Sequence, residues 1–304
     1  MTSIAGVVSL SCGARTPLDL PGGEGGGSAV TASSASTSHA SVASSVVSSS
    51  VASTGSGPGC EDPDTLLVYV VTASERLYRF DPPTGAFSLV GNVDCGLPPE
   101  TTPYSMAVDR HGVAYVLYTD GEIFRVKISD ASCEPTEFQA GQSGFFSFGM
   151  GFSSNPADGT ETLFVAESSF DAPSLGLASI DTATLELDFI GPFSAPLGRS
   201  ELTGTGDGKL FAYSLDDPGP GGEISELDKD TAAIVSITHV SVGDPQNAFA
   251  FASWGGAFYM FTALIEEGTT FVRRYEPDTM TLTNAGSLPS EIVVGAGVST
   301  CAPS

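Results

Sequence analysis

Positive charge is scarce in this chain. Its 304 residues include eleven lysines and arginines against thirty-six aspartates and glutamates, a formal net charge of −25. Such a surface repels nucleic acid, because neutralising phosphates needs clustered cations. It repels anionic lipid headgroups as well. Cations, basic proteins and neutral carbohydrate remain as partners, so a protein or carbohydrate ligand is expected and nucleic acid is not. The charge also accounts for solubility in an external medium. Histidine is limited to His39, His111 and His239, none placed to serve a serine or cysteine nucleophile. Apart from the N-terminus, no apolar run approaches the length of a membrane span. No stretch keeps helical periodicity for three turns, which leaves a reading in short strands.

Cysteine is sparse but informative. Cys12 stands apart, while Cys60, Cys95, Cys133 and Cys301 form an even set with no CxxC pair. No histidine sits at metal-ligand spacing from them, which argues against zinc. An even set in an acidic, Ser/Thr-rich chain fits disulfides and an oxidising compartment.

The first twelve residues read MTSIAGVVSLSC. A short apolar stretch, then small residues, then Cys12 resembles the end of a bacterial lipoprotein signal peptide, with Cys12 as the lipidated residue. The basic n-region is missing, and Ser9 stands where lipoboxes usually carry leucine. A true start further upstream would explain the missing n-region. The alternative is an ordinary secreted protein with Cys12 free. Residues 13–59 are Gly, Ser, Ala, Thr and Val with almost no aromatics or charge. They cannot bury enough apolar surface to offset their ordering entropy, so a disordered tether is expected. As a random coil its 47 residues would span roughly 35–40 Å.

From Cys60 onward, β-branched and aromatic runs alternate with Gly, Pro, Asp and Asn clusters. A repeat is visible. A strand-like run ends in a turn with a hydroxyl at Thr84, Ser132, Thr184, Thr231 and Thr279, spaced 48, 52, 47 and 48 apart. Acidic and hydroxyl side chains suit the place because they bond nearby backbone groups. Three further strands fall into register with each turn, among them outer strands expected at Pro135–Phe138 and Leu185–Ile190. The first unit lacks an inner strand, and the matching piece is Ile292–Val298 at the far end. The expected fold is all-β: residues 60–304 as a five-bladed β-propeller, four antiparallel strands per blade, closed by a C-terminal strand.

Closure has a covalent candidate, since Cys301 follows the last inner strand and Cys60 precedes the next strand of the same blade. A Cys60–Cys301 disulfide would be worth about 4–5 kcal/mol by loop entropy. Cys95 and Cys133 nominally lie toward opposite faces, so either the Asp94–Thr102 loop folds back to let them pair or both stay reduced. Along the inner strands one parity is small: Ser105, Ala107, Ser147, Gly149, Gly151, Thr203, Thr205, Ala248, Ala250, Gly295 and Gly297. A ring of few blades crowds its axis, where larger side chains would overpack.

These blades resemble those of secreted bacterial β-propeller lipoproteins of uncharacterised function. The segments that carry the resemblance are YSMAVDRHG (104–112), FGMGF (148–152), ELTGTGDG (201–208) and VGAGVSTC (294–301). The resemblance covers nearly all of residues 60–303 and implies the fold and an envelope-anchored or secreted location, with no activity. The WD dipeptide of WD40 repeats and the spaced Gly-Gly and Tyr/Trp of kelch repeats are absent.

Candidate sites are few. A glycoside hydrolase needs two carboxyl groups at defined separation, and Glu201 with Glu291, both at strand beginnings, is the only such pair. Asp109 and Asp207 lie at strand ends before glycines, where turn chemistry explains them. The loops between second and third strands carry Glu75, Asp120, Glu167, Asp171, Asp216, Asp217, Glu266 and Glu267. This acidic face is the expected binding face. Its oxygens suit a hard cation such as Ca2+, although the DxDxDG loop spacing is absent. Trp254, the single tryptophan, is grouped with these residues as a ring that either stacks on sugar or packs on the fold. No cofactor is otherwise expected, and the domain is expected to be a monomer. The reading is a binding or scaffold domain. The alternatives are a glycan-active enzyme using Glu201 and Glu291, and a structural envelope protein whose acidic face binds cations.

Overall fold

Strand-forming residues fall here into short runs, and each run ends at a turn residue. The computed structural model describes residues 59–168, 173–215, 221–243 and 248–304. The signal-like segment, Cys12 and the tether as far as residue 58 lie outside them, as do Asp171, Asp216 and Asp217.

Among the described residues, twenty strands make five four-stranded antiparallel sheets. Blade one contains β1 (Val68–Thr72), β2 (Arg76–Asp81) and β3 (Ala86–Asn92). Blade two contains β4 (Pro103–Val108), β5 (Val113–Tyr118), β6 (Ile123–Lys127) and β7 (Cys133–Pro135). Blade three contains β8 (Phe148–Asn155), β9 (Thr160–Glu167), β10 (Leu177–Ile180) and β11 (Leu187–Gly191). Blade four contains β12 (Ser200–Gly204), β13 (Leu210–Leu215), β14 (Gly221–Leu227) and β15 (Ile234–Ser241). Blade five contains β16 (Ala248–Trp254), β17 (Ala257–Leu264), β18 (Thr269–Glu276) and β19 (Thr281–Pro289). The last strand, β20 (Val293–Val298), pairs with β1 in the register Val68↔Val298 and completes blade one. The inner strands pack around the axis in the order β20, β4, β8, β12, β16, and β16 meets β20 to close the ring. The chain is a five-bladed β-propeller.

The core is five cores, one between each pair of neighbouring blades. Tyr115, Leu117, Phe148 and Met150 fill the gap between blades two and three. Val70, Phe80, Tyr259 and Phe261 fill the one that closes the ring. A blade therefore buries both of its faces, so inner and second strands such as β1 and β4 are apolar or small throughout. Only outer strands such as β3 and β19 are largely exposed. Crowding at the axis is tight: a Cβ on Gly149 would lie 2.0 Å from the Ser200 carbonyl oxygen, and one on Gly297 2.7 Å from the Val108 nitrogen.

The repeated turn has a backbone signature: Gly85, Ala131, Leu185, Ala232 and Met280 all have positive φ. Four of these residues are not glycine and carry a left-handed cost of about 1 kcal/mol each. The N–H groups of Gly85, Ala131, Leu185 and Ala232 reach the carbonyl four residues back at 2.7–2.9 Å. Thr84, Thr184, Thr231 and Thr279, the expected turn hydroxyls, each precede the positive-φ residue. Blade two departs from the expected register, because Asp130 occupies that place and Ser132 lies beyond it. Asp130 Oδ1 accepts the Ser132 N–H at 2.9 Å, so an aspartate does there what threonine does elsewhere.

Two outer strands also shift. In blade two the strand is Cys133–Pro135, not Pro135–Phe138. Thr136 Oγ1 donates to the Ile123 carbonyl at 2.6 Å, which turns the chain inward and buries Phe138 between blades. In blade three, Leu185 belongs to the turn and the strand begins at Leu187.

Both disulfides are present. Cys60–Cys301 bridges a Cα–Cα distance of 5.4 Å beside the joint between β20 and β1. Cys95–Cys133 bridges 5.3 Å. The long loop does fold back: Cys95 and Leu97 pack on the core between blades one and two together with Cys133.

Candidate functional site

The alternating strand directions give the ring two unlike faces. Inner strands begin on one face, where the inter-blade connections and the loops between second and third strands also emerge. This is the connector face. The opposite, hairpin face carries the turns between first and second strands and the repeated turns described above.

Of the acidic residues expected to form a binding face, Glu75, Asp120, Glu167, Glu266 and Glu267 lie on the connector face. They do not act alike. Glu167 is buried, and its Oε2 accepts the Leu175 N–H at 2.9 Å, fixing its own loop. Asp120 Oδ1 accepts the Glu122 N–H at 3.1 Å in a tight turn. Burial and the neighbouring Asp94 raise the pKa of Glu75. Glu266 and Glu267 lie exposed in a short 3-10 turn. Among the described residues no three Asp, Glu, His or Cys side chains converge as metal ligands would.

Trp254 is not on this face. It ends β16 at the hairpin between β16 and β17, on the opposite face. Its Nε1–H donates to the Leu66 carbonyl at 2.7 Å, so the ring is partly packed against the blade-one junction.

Glu201 and Glu291 share the connector face but serve different neighbourhoods. Glu291 pairs with the Arg76 guanidinium and accepts from the Ser74 hydroxyl and, at 3.2 Å, from the Tyr78 hydroxyl. Burial raises its pKa, but bonds from Ser74 and Thr72 and the Arg76 charge outweigh burial and leave it lowered. Its carbonyl also accepts from Thr270 Oγ1 at 2.9 Å, which stitches blade five to blade one. The acid is ionised, saturated and structural.

Glu201 is only 4% exposed, and its Oε2 accepts the Ser105 hydroxyl at 2.7 Å, linking blades four and two across the axis. Burial pushes its pKa well above the carboxylate range; Ser105, the charge of Arg199 and the Met150 backbone offset this only in part. Burial disfavours the charged form of a carboxyl so placed.

Glu201 opens into a cavity of about 260 Å³ at the axial mouth, to which all five blades contribute. Ala73 and Ile292 come from blade one, Tyr104 and Thr119 from blade two, Ser168 from blade three, Arg199 and Glu201 from blade four, and Phe249 from blade five. The Arg199 guanidinium lies 5.5 Å from the centroid of the Phe249 ring, and the Tyr104 hydroxyl donates to Ser168 Oγ at 3.1 Å. Glu291 does not line this cavity, and among the described residues Glu201 is its only carboxyl group. The mouth thus presents hydroxyls, one guanidinium, one buried carboxyl and an aromatic ring. That set can bind and orient a polar molecule, but it lacks the second carboxyl group that glycoside hydrolysis uses.

The sequence did not point to the buried Arg110–Glu161 pair, at 3.4 Å, on the hairpin face. Arg110 also donates to Ser154 Oγ at 3.2 Å and to Thr300 Oγ1 at 3.1 Å. Thr300 in turn donates to Glu161 at 2.6 Å, so blades two and three and the segment after β20 are tied together beside Cys301. Asp109, next in sequence, accepts the N–H groups of His111 and Val113 at 2.9 and 2.8 Å, as turn chemistry requires.

No family model and no curated protein matches this chain. Among solved structures it is similar to a hydrazine synthase chain of Kuenenia stuttgartiensis: 17% identity over 73% of this chain and 63% of that one, TM-score 0.43. A chain of a nidogen/laminin complex aligns at 12% identity over 76% of this chain and 97% of that one, TM-score 0.48. TolB from Acinetobacter baumannii aligns at 12% identity over 76% and 65%, TM-score 0.42. At such identities the likeness concerns the fold alone.

Proposed function

We propose that this chain is an extracytoplasmic binding domain whose ligand, a small hydrogen-bonding molecule of carbohydrate type, sits in the axial cavity of the connector face. The observation that carries the proposal is the union of Glu201, Arg199, Tyr104 and Phe249 in one cavity built by five blades. Hydroxyl-rich ligands present donors and acceptors together with apolar ring faces, and this lining answers both. The two disulfides fit an oxidising compartment. A lipid on Cys12 would hold the domain at the envelope, and a Cys12→Ser chain that still partitions into detergent would remove the anchor from the reading. No cofactor is required.

The test is a glycan array followed by calorimetry on the purified chain. At least one glycan class should bind, and Arg199→Ala should weaken it about tenfold with an unchanged melting temperature, the loss typical of one charged hydrogen bond. An array without any ligand refutes the carbohydrate assignment. Release of cleaved sugar, abolished by Glu201→Gln, would turn the binding domain into an enzyme.

A further inference from the structure

The hairpin face carries a second cavity, remote from the axial mouth. It is a cleft of about 330 Å³ between blades four and five. Two cross-strand rows wall it. From blade four come Phe211, Glu226 and Ser236, which stand opposite one another on β13, β14 and β15. From blade five come Phe258 and Tyr275, paired across β17 and β18. The rings of Phe211 and Phe258 meet edge to face, with centroids 4.7 Å apart, and Trp254 forms part of the wall.

The polar groups of the cleft are biased. Asp207, Glu226 and Asp278 line it against one cation, Lys209. Glu226 stands opposite Phe211 and is partly buried, and its carboxylate makes no hydrogen bond or ion pair among the described residues. Tyr275 is only 7% exposed, and its hydroxyl likewise makes no hydrogen bond among the described residues. The Trp254 donor is already spent on Leu66, so that side chain offers the cleft its ring and not a hydrogen bond.

We propose that this cleft binds an organic ammonium group carrying an apolar body. Aromatic faces attract such a cation through the ring quadrupole, and a carboxylate beside them completes the charge match. A neutral apolar molecule would use the rings but leave Glu226 unanswered and partly desolvated. An anion would meet a threefold excess of carboxylates. The source is either a small quaternary ammonium solute or a lysine side chain of a partner, and both offer the same chemistry.

Trp254 is the only tryptophan in the chain, so intrinsic fluorescence reads this cleft directly. The full chain is titrated at low ionic strength with choline, with N-acetyl-Gly-Lys-Gly-amide, and with 3,3-dimethylbutanol, the neutral isostere of choline. Choline or the lysine peptide should shift the emission saturably, with the isostere weaker by about tenfold, the usual scale of a desolvated cation–π contact with its carboxylate. Glu226→Gln should weaken the cation by a similar factor and leave the isostere unchanged, with the melting temperature confirming the fold. Asp207→Asn provides the same comparison from an exposed position. Whichever cation binds identifies the source. The proposal is overturned if neither cation gives a saturable change, if the isostere binds equally well, or if both variants bind the cation as the unmodified chain does.

Discussion

The repeated turns of the hairpin face and the axial mouth of the connector face use acidic residues in opposite ways. In the repeated turns, aspartates spend their oxygens on the chain itself. Asp130, Asp181 and Asp228 accept bonds from nearby hydroxyls and backbone N–H groups, and their pKa values are lowered. On the connector face Glu201 is buried at the axial mouth, and its pKa is raised. Acidic side chains thus close turns in one place and lie buried beside a cavity in the other. The hairpin face also holds the locks, Cys60–Cys301 and the Arg110–Glu161 network, whereas the connector face holds the longer loops. Rigidity on one side leaves the other side free to vary around the axis.

The comparison breaks most visibly at the lock. Replacing Cys301 by serine removes a crosslink with a sequence separation of 241 residues. A loss of about 5 kcal/mol is expected by loop entropy, read as a fall in the denaturation midpoint that reducing agent exceeds in the parent chain, because it opens Cys95–Cys133 as well. Cys95→Ser opens a separation of only 38 residues and should cost less, about 4 kcal/mol. Equal losses would mean that the ring does not depend on its closing bond. Next in size is Arg110→Ala. It leaves Glu161 buried without its cation, at about 3–5 kcal/mol, the usual result of breaking a buried pair. Replacing both residues by methionine should recover most of that loss. A midpoint unchanged by Arg110→Ala would show that the network adds nothing to closure.

The ring itself was legible because its elements are local. A strand and its turn are written in consecutive residues, so Asp181 with Thr184 and Asp228 with Thr231 announced the repeat. Cys60–Cys301 followed from the strand order, whereas the strand order set Cys95 and Cys133 toward opposite faces and their pairing depends on a loop that folds back. What escaped depends on encounters across the ring. Glu201 is buried because Ser105 and Met150 approach it from other blades, and no spacing within β12 announces that meeting. Arg110 finds Glu161 and Thr300 in the same way. The hydroxyl of Ser132 imitated the repeat, but Asp130 already filled its place, so a pattern of residue types missed a substitution between two groups that close the same turn. Trp254 was grouped with the acidic loops because its chemistry suited a ligand, whereas its position in a first hairpin puts it on the other face.

The last effect is a slope instead of a loss. A carboxyl whose pKa is raised by folding binds its proton more tightly in the native than in the unfolded chain. Below the unfolded value, near 4.3, both states are protonated and Glu201 contributes no pH dependence. Above it the unfolded chain releases the proton while the folded chain keeps it, so stability falls as pH rises until the folded carboxyl also ionises. The hairpin-face aspartates with lowered pKa act in the opposite sense. Their contribution is full above the unfolded carboxylate range and is lost only as pH falls, so they are flat between pH 5 and 8. Asp109, raised chiefly by burial, shares the sign of Glu201 and remains in the background. Glu201→Gln should therefore leave stability near pH 5 little changed and flatten its decline toward pH 8, as measured by denaturant melts across that range. An identical slope in the variant would mean that Glu201 is ionised in the folded ring. The axial cavity would then present a carboxylate, and its ligand would have to supply the proton or the positive charge.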